Sequence, residues 1–149
     1  MNRANLLILF LLISIITSCG IERKTKAELA RKLNIFLDNS QLKSLDAVII
    51  LPGEGCSGCI SSTEQFVKNL QQSDKIHVIF TAVRSKKILR LKLNLDLNEP
   101  FYHIDDESIL NQDRSYTIYP TVVLLEDGQV RDYFYISPNS EDTLDSLIK

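Results

Sequence analysis

The chain has 149 residues, 44% of them hydrophobic and 24% charged, with a formal net charge of −2. Those values exclude bulk disorder, allow one domain with a buried core and, since no basic face stands out, argue against nucleic acid as a partner. There is no internal repeat and no low-complexity tract.

Met1 to Asn5 carries one positive charge, Arg3, and Leu6 to Ile16 is an apolar run closed by the small residues Thr17, Ser18, Cys19 and Gly20. Charged, apolar and small-residue regions in that order are the layout of a secretory signal, and the run is too short for a span, which needs about 20 apolar residues. Ile16-Thr17-Ser18-Cys19 also resembles a bacterial lipobox. That resemblance implies a signal peptide over 1–18, a lipidated Cys19 with a polar tether to residue 26, and a domain over 27–149. It places the domain in the periplasm of a bacterial cell envelope, held to a membrane by lipid on Cys19. An ordinary cleaved signal or an uncleaved anchor are the alternatives. The chain has three cysteines; lipidation of Cys19 leaves one pair, Cys56 and Cys59, in a compartment where disulfides persist.

Beyond the tether, Leu29, Leu33, Phe36 and Leu37 fall at helical spacing, so an amphipathic helix runs from Thr25 or Lys26 to about Asn39. Ala47 to Leu51 is apolar on both faces, as in an inner parallel strand. A helix over Ile60 to Gln72 turns Ile60, Thr63, Val67 and Leu70 inward with Cys56, and Ser61, Ser62, Glu64 and Lys68 outward. Lys75 to Ala82 is a second inner strand. Ser85 to Leu93 is a short helix whose Lys86, Lys87, Arg90 and Lys92 form a solvated face. Phe101 to Ile104 is an extra strand, with a helical turn near Glu107 to Asn111. Thr121 to Leu125 and Val130 to Ile136 flank Asp127-Gly128, a strong hairpin signal; Val130, Asp132, Phe134 and Ile136 alternate with Arg131, Tyr133 and Tyr135. Ser140 caps a last helix over Glu141 to Ile148.

Chemistry concentrates in Gly53-Glu54-Gly55-Cys56-Ser57-Gly58-Cys59, between the first strand and its helix. Unpaired N–H groups and the positive dipole end at a helix start stabilise a thiolate at Cys56. Cys56 is therefore the candidate nucleophile and Cys59, one turn further in, the resolving thiol. Ser57 and Gly58 are small enough to leave the attacking sulfur open.

This Cys-x-x-Cys at a strand–helix junction, followed by strand, helix, hairpin and helix, resembles the thioredoxin fold over residues 27–149. The resemblance implies an α/β domain: a mixed central sheet with a C-terminal β-hairpin and helices on both faces. Tyr116 to Gly128, with Tyr119-Pro120-Thr121 before the apolar strand and Asp-Gly after it, is similar to the TlpA-like and peroxiredoxin-related branch, as is the extra strand at Phe101 to Ile104. In such proteins the proline before the strand is cis and faces the sulfurs, which makes Tyr119 and Pro120, with Gly55 and Ser57, the candidate substrate-binding residues. The resemblance implies a redox partner protein and no prosthetic group.

Several positions depart from that pattern. No tryptophan occurs, and Gly55 stands where one is usual. Gly58 replaces a common proline, and Ile50 takes the place of a buried proton-moving aspartate. Glu54 substitutes for that aspartate only if it points inward, and its charge then raises the pKa of Cys56. A metal site lacks ligands, since only His77 and His103 join the two thiols, and His77 reads as a core histidine. A peroxidase reading has Arg84 and Arg114 but lacks the threonine spacing. The remaining rival to catalysis is a partner-binding module whose Cys56–Cys59 bond is purely structural.

Overall fold

In the computed structural model the described residues are 23–70, 73–112 and 118–137, with Leu144 and Leu147. The signal and lipidation segment, Tyr116 and most of the expected last helix lie outside them.

The most apolar segment forms the centre of the sheet. β1 (Ala47–Pro52) is buried at every position and pairs parallel with β2 (Ile76–Thr81) and antiparallel with β4 (Thr121–Glu126). β3 (Tyr102–Asp105) adds parallel to β2, and β5 (Gln129–Tyr135) adds antiparallel to β4. The order is β3-β2-β1-β4-β5, a mixed five-stranded sheet.

Alternation along β1 divides the core into two layers. Val48 and Ile50 pack with Leu29 and Leu33 of α1 (23–36), with Leu37 just beyond its end, and with Leu42 of α2 (Asn39–Ser44). Ala47, Ile49 and Leu51 pack with Ile60, Phe66 and Val67 of α3 (Ser57–Asn69) and with Leu89 and Leu93 of α4 (Lys86–Leu93). Helices thus cover both faces, and burial of these side chains is the main stabilising term. Leu144, from the expected last helix, joins the second layer.

Local chemistry shifts several boundaries. Residues 23–26, expected as tether, already belong to α1, and Lys26 pairs with Asp132 at 3.4 Å. Asp38 ends that run but starts α2: its carboxylate accepts from the Ser40 and Gln41 N–H groups, and Gln41 Oε1 accepts from the Asp38 N–H. The pair forms a capping box, Asp38 with Gln41, and begins a short helix that the sequence reading did not include. Glu64, expected outside, is buried and accepts from Lys92 Nζ at 2.7 Å. The four α4 cations are exposed, as expected of a solvated face, and Lys86 and Arg90 are ion-paired there with Asp106 and Asp96. A bulge at Leu124/Leu125 breaks the alternation expected in β5: Leu124 opposes Asp132 while Leu125 opposes Val130. Arg131 is the extra residue, so Val130 and Tyr133 both reach the α1 layer.

At the β3 edge the two histidines meet, His77 Nε2 and His103 Nδ1 lying 2.9 Å apart. Burial, and then the charge of His103, push His77 down from 6.5 to about 4. The unfolded chain binds that proton more readily, so the stability it confers is full above about pH 6.5 and is lost as pH falls towards 4. Urea unfolding at pH 4.5 and 7.5 is expected to differ by about 2–3 kcal/mol more in the wild type than in His77→Gln.

Candidate functional site

The redox turn leaves β1 against the end of β2. The Gly53 N–H donates to the Thr81 carbonyl at 2.8 Å, and a Cβ at Gly53 would lie 2.6 Å from the Ala82 carbonyl oxygen. Gly55 has φ +138, and a Cβ there would meet the Ile118 carbonyl oxygen at 2.4 Å. That close approach lets the Cys56 N–H donate to the same carbonyl at 2.8 Å. No side chain can stand beside the first cysteine because the backbone of Ile118 occupies the space, which is the physical reason for glycine where a tryptophan was looked for.

Cys56 is the N-cap of α3, and the helix begins three residues earlier than its apolar periodicity indicated. Cys56 and Cys59 are joined by a disulfide with their Cα atoms 5.3 Å apart, and Cys56 Sγ accepts from the Cys59 N–H at 3.4 Å. Exposure is asymmetric: Cys59 is 0% exposed, Cys56 is half-buried, and Ser57 and Gly58 are exposed. An approaching thiolate therefore meets Cys56 first.

Glu54 does not point inward. Its carboxylate accepts from Arg84 Nε and Nη2, both at 2.7 Å, with side-chain exposures of 50% for Glu54 and 82% for Arg84. The Arg84 hydrogen bond holds the Glu54 carboxyl below its ordinary value, and Glu54 in turn raises the guanidinium. Ile50 is fully buried hydrocarbon in the α1 layer, so β1 brings no carboxylate behind the sulfurs. The buried carboxylate at this end of the sheet is Asp105, and its oxygens accept from Thr81 Oγ1 and the Ile109 and Leu110 N–H groups at 2.8 Å each.

The peptide bond into Pro120 is trans, which corrects the expected cis bond. Trans is the ordinary preference for such bonds, by about 0.5–1 kcal/mol, and the local pairing suits it. The Pro120 carbonyl accepts from the Ile136 N–H at 2.8 Å, and the Ile118 carbonyl is turned to Cys56. The segment still lies on the redox turn, with Ile118 50% and Tyr119 39% exposed and the Tyr119 ring 6.4 Å from that of Tyr135. The structure thus brings Gly55, Cys56 and Ile118 together directly. It adds two residues the sequence did not assign here, Ile118 and the Glu54 partner Arg84. Neither carries a local signal, since each contact joins segments far apart in the chain. Among the described residues no three His, Cys, Asp or Glu side chains converge as a metal site, and no helix is long and apolar enough to cross a membrane.

No protein-family model matches the chain, and no curated protein matches it. Among solved structures it is similar to the solution structure of a "putative thioredoxin" from Neisseria meningitidis. The TM-score is 0.50 at 19% identity, over 75% of this chain and 78% of that one. Sheet order, two helical layers and this likeness together give the chain a thioredoxin-like fold, with a bonded Cys-x-x-Cys pair at the first strand–helix junction in a position suited to thiol–disulfide chemistry.

Proposed function

We propose that this protein is a thiol–disulfide oxidoreductase of the bacterial cell envelope, tethered to a membrane by lipid on Cys19 and exchanging disulfides with a partner protein. The observation that carries this reading is the unequal exposure of the two cysteines at the tip of α3. In the reduced protein the Cys56 thiolate attacks one sulfur of a partner disulfide. A mixed disulfide forms and the partner's first thiolate leaves. The Cys59 thiolate then attacks Cys56 Sγ, which closes the Cys56–Cys59 bond and releases the second thiolate. Two electrons pass to the partner; the same steps reversed oxidise a dithiol. Exposed Tyr119, with Ile118, Gly55 and Ser57, forms the surface on which the partner chain lies, whereas Pro120, expected to share that role, is buried with its carbonyl paired to the Ile136 N–H. Glu54, exposed and paired with Arg84, is not a buried proton carrier. The TlpA-like or peroxiredoxin-related branch is supported by Tyr119-Pro120-Thr121 and by β3.

A second reading, a binding module with a structural disulfide, is favoured by Ile50 at the aspartate position and by the trans bond before Pro120. The Cys56/Cys59 reduction potential in glutathione or dithiothreitol buffers separates the two. Exchange is expected to give a value above about −300 mV, and a structural bridge one below it. In bacterial cells, labelled palmitate is expected to enter the wild type and to be lost in Cys19→Ser, and a label retained in that variant would remove the anchor.

A further inference from the structure

The sequence places an acid two residues before the nucleophile, where its charge opposes a thiolate. The fold supplies an answer from another segment. Arg84, in the loop between β2 and α4, closes a two-pronged fork on Glu54, with both contacts at 2.7 Å. Gly53, packed against the Ala82 carbonyl, keeps the two loops in register for that pairing. The described charged and titratable groups around the turn are few. Glu54 comes from the turn itself and Arg84 from the loop after β2. Lys86, at the head of α4, is engaged by Asp106 at 2.6 Å, and the buried Asp105 is held by Thr81 Oγ1 and the Ile109 and Leu110 N–H groups. Arg84 is therefore the cation that cancels the charge nearest in sequence to Cys56.

We propose that Arg84 is a positioning residue of the redox centre, holding the Glu54 carboxylate in a neutral fork so that Cys56 meets an incoming disulfide as a thiolate. The proposal rests on the redox reading of the Cys56–Cys59 pair. Because the ion pair is exposed, its stability value is small; its effect is on the reactivity of the neighbouring sulfur. In Arg84→Ala the uncompensated Glu54 charge lowers the thiolate fraction of Cys56, and salt screens the loss.

The test is alkylation of the reduced full-length protein by iodoacetamide across pH 5–9, read on the Cys56 peptide by mass spectrometry. At low salt Arg84→Ala is expected to slow the reaction about threefold on the acid side of the profile, with the difference vanishing near 1 M salt. Arg84→Lys, which keeps the charge without the fork, is expected to retain most of the wild-type rate, and Glu54→Gln added to Arg84→Ala to restore it. A profile for Arg84→Ala that coincides with wild type at low salt overturns the proposal. So does a deficit that persists at 1 M salt and in the double variant, because that marks a merely structural role. Exchange with glutathione disulfide, followed on the same samples, separates the two levels. Exchange without an Arg84 effect removes this proposal alone, whereas no exchange in the wild type removes the redox reading and this proposal with it.

Discussion

With Cys59 replaced by serine, Cys56 is expected to accumulate partner proteins as mixed disulfides that survive non-reducing electrophoresis and dissolve with dithiothreitol. The buried residue that would resolve them is gone, while the more exposed cysteine that forms them remains. Cys56→Ser is expected to reduce exchange to background, a loss of at least about 10³-fold, and to trap nothing, since Cys59 is 0% exposed. Equal trapping by both single variants would contradict the assignment of nucleophile and resolver. Trapping by neither, with both proteins folded, would favour the structural bridge.

The largest stability effect near the site is expected at Gly55. An alanine there must adopt φ +138, a region that L side chains rarely enter, and places Cβ 2.4 Å from the Ile118 carbonyl oxygen and 2.7 Å from its Cα. Both neighbours are backbone, so no side chain can rotate away, and the loop must move. We expect Gly55→Ala to cost about 3 kcal/mol in urea unfolding, and to weaken the bond from the Cys56 N–H to Ile118 that depends on the same approach. Gly55→Trp, the residue usual at this place in the resembled fold, is expected to be at least as damaging. A tolerated Gly55→Ala, with unfolding midpoint and exchange rate unchanged, would show that the contact is not needed.

What was legible in the sequence follows the range of each interaction. Ala47 to Leu51, the Asp127-Gly128 turn and the Leu29, Leu33, Leu37 stripe are local patterns, and each led to the element the fold contains. The Cys-x-x-Cys pair was equally local. Boundaries moved where a side chain competed with periodicity: Asp38 capped a second short helix, and Cys56 capped α3 ahead of its apolar stripe. The fine structure of the site was not legible because it is assembled from three distant segments. Glu54 meets Arg84 across 30 positions, and Ile118 meets Gly55 only after β4 has paired with β1. The peptide bond into Pro120 keeps the ordinary trans preference, and a proline ahead of a strand does not by itself mark an exception.

The Ile118 carbonyl, not its side chain, braces the first cysteine, and the side chain itself stands half in solvent. Any residue has that carbonyl. Position 118 is therefore free to change from aliphatic to aromatic or neutral polar without loosening the turn that carries the sulfur. On the proposed reading, a neutral substitution at this one exposed position is therefore expected to alter which partner chain docks while leaving the backbone support of Cys56 in place.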